Sequence, residues 1–363
     1  MRPSTRLLLS LAVVGIVAPL AGLYPVFLAK CVAFAVFAAA FNFFTGNIGL
    51  LSIGHAAFFG IGGYAAGHAA KAWGLTPELA LAASLIAGAA IGFVIGGMAI
   101  RRQGIYFAMI TLALAQMVYF FCLQAPFTGA EDGLQRIPRG HLFGLIDLSN
   151  DRLLYAVILI LGLAVVWGLQ RMMESPFGQV LLAIRDNESR AISLGYESRA
   201  YKLSAFVISA AFAGLAGGMK AITLGLASLN DVHWSQSGNV ILMCLLGGIG
   251  TSLGPLIGAV LVVTLESKLT DIGVVHIGTH AFDLSSKVPI LIGLIFMISV
   301  LTFRRGLVGE FAALLARRRA ASERPGEETS DRPDRLDSAP TQSSNASDKA
   351  AAARGPAGAA FGE

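Results

Sequence analysis

Two stretches of the chain carry side chains that could act on a small solute. The first runs Phe41-Asn42-Phe43-Phe44-Thr45-Gly46-Asn47-Ile48-Gly49-Leu50-Leu51-Ser52-Ile53-Gly54-His55-Ala56-Ala57-Phe58-Phe59-Gly60, with glycine and small polar residues set into apolar sequence. At membrane depth an interrupted helix is tolerated only where protein or a water-filled cavity satisfies its backbone. The amides freed there could meet a carboxylate, as at a helix start. Asn42, Thr45, Gly46, Ser52, Gly54 and His55, with Thr111 further along, are the candidate lining of a translocation path. His55 is the obvious polar group. A buried histidine is either satisfied inside the core or in contact with a solute, and the pattern leaves both readings open.

The second stretch is the loop 174–200. Ser175-Pro176 reads as a cap followed by proline at the first helical position, and Gly195 as the matching stop. Between them Phe177, Val180, Leu181, Ile184, Ala191 and Ile192 fall on one helical face, with Arg185, Asp186, Ser189 and Arg190 mostly off it. Glu188 interrupts the stripe and could pair with Arg185 about one turn earlier. Such a short amphipathic helix either lies on a lipid surface or docks in a groove on a cytoplasmic partner. Phe177, Ile184, Arg185, Glu188, Ala191 and Gly195 are the candidate docking residues.

Motifs for chemistry by the chain itself are missing. There is no GxxxxGK[ST] phosphate loop, no HExxH, no paired-cysteine arrangement and no GxSxG. Gly248-x-Gly250-x-x-x-Gly254 misses the dinucleotide fingerprint by one residue. No catalytic or metal-binding residues are therefore assigned, and no cofactor is expected in this chain. Cys31, Cys122 and Cys244 each stand alone in apolar sequence and read as packing residues. From Glu78 to Glu310 no acidic residue lies midway along an apolar segment. Proton- or sodium-coupled transporters usually place a carboxylate or an ion cage there, so that class is the runner-up. A passive channel would want a ring-forming charged position, which is also lacking.

These residues must be positioned by elements that live in lipid. Of 363 residues, 55% are hydrophobic and 13% charged, with a mean hydropathy of +0.69, against about 25% charged in a soluble domain. A chain of that make-up cannot cover a globule with polar groups. The net charge of +5 does not point to nucleic acid, because Lys and Arg punctuate the ends of apolar segments as topology signals do. Apolar segments near 7–24, 26–44, 48–70, 78–100, 104–125, 153–173, 203–225, 236–250, 253–268 and 287–303 predict an all-α polytopic bundle of about ten crossings, within eight to eleven. Arg2 and Arg6 before Leu7–Leu20 would also suit a signal peptide, but the many later segments favour an uncleaved first span.

Charge sets the parity. Arg101-Arg102, the stretch 171–202, Arg304-Arg305 and Arg317–Arg319 should all be cytoplasmic, which requires two crossings within 236–268, broken at Gly247–Pro255. Both termini are then cytoplasmic. Glycines recur every fourth residue at Gly88-Gly92-Gly96, Gly214-Gly218 and Gly250-Gly254-Gly258, a spacing that lets another backbone lie close. The expected division is a permease domain over 1–306, a basic juxtamembrane segment over 307–319 and a disordered cytoplasmic tail over 320–363.

The motifs, taken in order, resemble the branched-chain amino-acid ABC transporter permease family in its LivM-type branch. They run from Thr45-Gly46 to Tyr64, through Gly104–Leu112, Thr128–Leu134, Phe177–Gly195, Tyr201–Phe206, Ala213–Gly218 and Leu246–Gly258, to Phe303–Leu307. The resemblance implies an inner-membrane importer subunit without enzymatic activity, paired with a second related permease. Two cytoplasmic ATPases would use ATP and Mg, and an external or periplasmic binding protein would deliver the solute. Loop 176–195 would then be the coupling helix. The chain departs from the family's pattern at Asn239, Arg304 and Ala130-Glu131-Asp132. Those departures leave the substrate open between branched-chain or other hydrophobic amino acids and the urea or short-chain amides carried by close relatives.

Overall fold

The computed structural model describes residues 22–144 and 146–272, the strand pair 274–277 and 280–283, and isolated positions beyond them. The helices it describes are α1 (Pro25–Ile48), α2 (His55–Lys71), α3 (Pro77–Ala99), α4 (Ile105–Gln124), α5 (Asp151–Met173), α6 (Pro176–Asp186), α7 (Glu188–Ser193), α8 (Ser198–Leu224), α9 (Trp234–Gly247) and α10 (Gly254–Ile272). Their ends follow from local chemistry. Proline opens α1, α3 and α6, where its missing N–H costs nothing. Asn150 caps α5 by accepting from the Arg152 amide at 3.0 Å. Gly49 closes α1 in the left-handed region (φ 77°), its amide donating to the Thr45 carbonyl at 2.9 Å.

Among the described residues, α1, α3, α4, α5 and α8 are long and apolar enough to cross a membrane. The 17 residues of α2 and 14 of α9 make about 26 and 21 Å of helix, short of a hydrocarbon core of about 30 Å. Each is continued by non-helical backbone, at Gly49–Gly54 before α2 and Gly248–Leu253 after α9.

Of the five long helices α8 is the most enclosed, and glycine is the reason it can be. A Cβ on Gly88 would come within 2.5 Å of the Ala210 carbonyl and 3.0 Å of the Gly214 Cα, and one on Gly96 within 2.7 Å of the Phe206 ring. Gly92 abuts the Ala210 methyl, while a Cβ on Gly214 would lie 2.6 Å from the Ser84 carbonyl and one on Gly218 2.5 Å from the Ser84 hydroxyl. Gly217 meets the Phe59 carbonyl of α2 on another side. Helix α8 thus lies backbone to backbone between α2 and α3, as the first two glycine series predict.

The third series is corrected. Gly250 stands in the turn between α9 and α10 at φ 80°, a conformation no right-handed helix holds. Only Gly254 and Gly258 share a helix. They pack on α9, Gly254 against Gly247 and Gly258 against the Met243 carbonyl. That pairing makes α9 and α10 an antiparallel hairpin, so region 236–268 is two helices. The expected single helix over 176–195 is also two: Asn187 (φ −157°, ψ 97°) breaks it into α6 and α7, and its side chain caps the second.

At the opposite end of the bundle from α6, short antiparallel ladders gather the loops. β1 (Leu134–Gln135) pairs in the register Leu134↔Ala227 with Leu226–Ala227, which lies just beyond α8, and β2 (His141–Leu142) pairs with β3 (Ile146–Asp147). The three cysteines are free and buried, and Cys244 donates to the Ala38 carbonyl at 3.3 Å. The expected spans 7–24 and 287–303, apart from isolated positions, and the segments 307–319 and 320–363 lie outside the described residues.

Candidate functional site at the α6 end of the bundle

The apolar stripe of the loop is spent within the chain. Leu181, Ile184 and Ala191 are all but fully buried, and Phe177 stacks on Tyr201 with ring centroids 5.7 Å apart. Ile192, a member of the stripe, and Leu194 are the most exposed large apolar residues of the loop, at 55% and 70%. Gly195, at φ 89°, ends the segment as expected.

Its polar residues reach three other helix ends. Arg185 donates through Nη1 to the Gly46 carbonyl at 2.6 Å. A cation there faces the last carbonyls of α1, the negative end of that helix. The Arg185 Cγ would lie 3.1 Å from a Cβ on Gly49, so glycine at that position leaves the guanidinium its route. Arg185 also meets Asp186 at 3.6 Å, and Glu188 pairs elsewhere. Glu188 binds the buried Lys202 ammonium of α8 at 2.6 Å and accepts from Gln103, in the link between α3 and α4, at 2.5 Å. Its carboxyl is held below the usual range: burial raises it, but the bonds from Lys202 and Ser198 and the charges of Lys202 and Arg199 together outweigh that. The Glu188–Arg185 pair drawn from helical spacing is absent because the break at Asn187 rotates α7 away from α6.

The end of α1 also holds the α9–α10 turn. Asn42 uses its whole amide there, accepting from the Gly250 amide at 2.8 Å and donating to the Thr251 carbonyl at 3.1 Å. A Cβ on Gly46 would meet the Gly250 Cα at 3.1 Å, a tight contact that glycine avoids. The hydroxyl of Thr45 is buried without a partner among the described residues.

The break before α2 is satisfied internally. The Ile53 amide donates to Thr111 Oγ1 at 3.3 Å, that of Gly54 to Ser52 Oγ at 3.4 Å and that of Ala56 to Ser237 Oγ at 2.9 Å. A Cβ on Gly54 would come within 2.5 Å of the Thr111 carbonyl. Three of the amides expected to be free for a carboxylate, those of Ile53, Gly54 and Ala56, are therefore occupied in this conformation. His55 is fully enclosed, with Phe41, Phe44, Phe58 and Phe206 around its ring at centroid distances of 5.0 to 6.2 Å. Ser209 gives its one proton to the Ala40 carbonyl at 2.6 Å, so at 3.0 Å His55 Nε2 is the donor to Ser209 Oγ. The lone pair on Nδ1 has no partner among the described residues. Asn42, Thr45, Ser52, His55 and Thr111 are all buried, and the bundle is closed around them.

A cavity of about 770 Å³ lies between α1, α5 and α10, lined by aliphatic residues such as Leu28, Val32, Leu159 and Ile257. It shares none of the polar residues above. Two ionic features escaped the sequence reading. Lys202 was hidden as the partner of Glu188 by chain separation. Lys220, inside the apolar segment 203–225, pairs with Asp231; a lone cation at that depth was the available signal.

The sequence pattern of the family described as branched-chain amino acid transport system / permease component matches residues 23–302. The chain belongs to this permease family. Among relatives of this permease, the High-affinity branched-chain amino acid transport system permease protein LivM of Escherichia coli (strain K12) is 32% identical over 63% of this chain and 60% of its own. The Salmonella typhimurium protein of the same name gives the same identity and shares. The Probable branched-chain amino acid transport permease protein LivM of Methanocaldococcus jannaschii is 24% identical, over 51% of this chain and 55% of its own. The permease thus spans about 60% of the length of the curated bacterial relatives it matches. No solved structure matches it. With its long apolar helices, it is a multi-pass membrane protein.

Proposed function

We propose that the chain is the translocation subunit of an ATP-driven importer for branched-chain or other hydrophobic amino acids, in the cytoplasmic membrane. The observation that carries this reading is the way α6 and α7 grip the bundle. One short segment outside the long helices ties by polar side chains to the end of α1, the start of α8 and the link between α3 and α4. A partner that moved this segment would move all three helices together. The relatives' names supply the solute class, and in this reading hydrolysis of ATP, with Mg, falls to two separate ATPase subunits.

In this reading α6 and α7 form the coupling element on the cytoplasmic side, and the exposed Ile192 and Leu194 offer its docking surface. Segments 7–24 and 287–303 complete about ten crossings with both termini inside. A second related permease shares the path, and an external binding protein delivers the solute and sets most of the specificity. Urea or a short-chain amide is the alternative solute. The test is uptake by cells expressing the full complex. It should vanish when the ATPase partner is made hydrolysis-deficient and should persist when the proton gradient is collapsed. Uptake that follows the gradient instead would place the chain among ion-coupled transporters.

A further inference from the structure

We propose that Lys220 and Asp231 are the binding site for the charged head group of a zwitterionic amino acid, closed on each other until the solute separates them. The proposal rests on the importer reading above and names a solute site within it.

Lys220 lies on α8, one turn before its end at Leu224, and Asp231 closes the short turn Leu229–Asp231 just beyond. Lys220 Nζ donates to both carboxylate oxygens, at 2.6 and 2.5 Å. The side chains are 9% and 12% exposed. Asp231 also accepts from the Ser228 amide at 3.2 Å and the Ser228 hydroxyl at 3.1 Å, whereas Lys220 donates to Asp231 alone among the described residues. A buried pair of this sort is no better for stability than apolar residues of the same volume. Lys220 stands near the end of an apolar helix long enough to span a membrane, where an ionisable side chain with a named partner is usually functional.

A third group stands idle on α2, the helix that packs against the turn carrying Asp231. Gly60 of α2 lets Val232, the residue after Asp231, pack against the helix backbone: a Cβ on Gly60 would lie 2.8 Å from the Val232 amide. Tyr64 is one turn further along the same face of α2. Its ring is 4% exposed, and its hydroxyl is buried with no partner among the described residues.

An α-amino acid carries the complement of all three groups. Its ammonium can take the place of Lys220 on Asp231, its carboxylate the place of Asp231 on Lys220, and Tyr64 can donate to that carboxylate. Each buried charge exchanges one ionic partner for another, so none is left unpaired. Urea or a short-chain amide offers only dipoles and leaves both charges uncompensated, so the pair selects zwitterions over the alternative solutes. Access needs the segment 226–232 to lift from the bundle. It is held there by the two-residue ladder to Leu134–Gln135 and by the ion pair itself.

The test uses the whole complex, with its ATPases and binding protein, in proteoliposomes, and reads L-leucine uptake per ATP hydrolysed. Absence of ATP-dependent uptake by the wild type overturns the importer reading and the site with it. With wild-type uptake established, Lys220→Met/Asp231→Asn, which keeps an oxygen for the Ser228 amide and hydroxyl, should assemble and hydrolyse ATP on adding loaded binding protein, yet lose uptake at least about tenfold, since charge-assisted contacts to the solute are gone. A purely structural pair gives the opposite result, because removing both charges together is neutral. Uptake at the wild-type level in that variant overturns the proposal. Should it fail to assemble, Tyr64→Phe decides, since deleting an unpartnered hydroxyl cannot harm folding. An uptake loss of about fivefold, the scale of one hydrogen bond, supports the site, and unchanged uptake overturns it.

Discussion

Arg185 of α6 and Gly46 of α1, separated by 139 residues of chain, are joined by a hydrogen bond of 2.6 Å from the guanidinium to the carbonyl. Four residues before Gly46, Asn42 holds Gly250 and Thr251 in the α9–α10 turn. Motion of α6 therefore reaches the hairpin through a single turn of α1. A bond from a charged donor contributes about 1.5–3 kcal/mol, and its loss should decouple without unfolding. In Arg185→Gln the complex should assemble and hydrolyse ATP, while uptake per ATP falls about tenfold or more. Paired uptake and ATPase assays on the same proteoliposomes check this, and an unchanged ratio would remove Arg185 from the transmission route.

Packing of α8 gives a prediction about assembly. Gly214→Leu should drive α8 off Ser84 and Gly88 of α3, where a Cβ alone would stand at 2.6 and 2.9 Å. Helices in lipid have no hydrophobic force to compensate such a gap. Gly97→Leu, on the same α3 but with nothing within 4 Å of its Cβ position, should be tolerated. Monodisperse yield in detergent is the measurement. Equal yields for the two variants would mean that α3 and α8 are not held by backbone contact.

What the sequence disclosed and what it hid divide along range. Helix identity and the proline and glycine stops are local, so the five long apolar helices, the break before His55 and the two glycine series on α3 and α8 are readable from spacing. Asn187 misled because its side chain competes with the backbone and restarts a helix, which no apolar stripe reveals. Gly250 misled for a related reason: a four-residue repeat is helical only if every member is right-handed. The partners of Glu188 and Lys220 lie on other elements and are fixed by tertiary packing alone. His55 was found as a candidate because of its type, but its aromatic enclosure comes from α1, α2 and α8 together.

Topology follows from the hairpin. Because α9 and α10 double back, the segment after α10 begins at the end of the bundle opposite α6, and the crossing proposed over 287–303 would return the chain to the α6 side. A reporter fused after Arg305 should therefore read cytoplasmic, matching one inserted at Ser189 in α7. A periplasmic signal from the first with a cytoplasmic signal from the second would sink the ten-crossing arrangement.

Glu188 offers the sharpest test, because its two readings predict opposite rescues. Its carboxylate is depressed by Lys202, Ser198 and Arg199 against the opposing effect of burial. A depressed carboxylate contributes above its unfolded pKa and loses its contribution only as pH falls through the folded one, so the contact should be constant from about pH 6 to 8. Glu188→Lys sets a second ammonium against Lys202, whose side chain is 6% exposed. Stranding that buried charge costs about 2–3 kcal/mol, since the partial exposure of Glu188 tempers the penalty of a fully buried pair. Uptake should be lost with the permease still in the membrane. If the tie is internal, Glu188→Lys/Lys202→Glu restores the pair in reverse and should recover most of the uptake. If Glu188 instead meets an ATPase groove, reversing Lys202 supplies nothing at that interface. A double variant as inactive as Glu188→Lys, at normal membrane level and with the ATPase co-purifying, would return Glu188 to the docking surface.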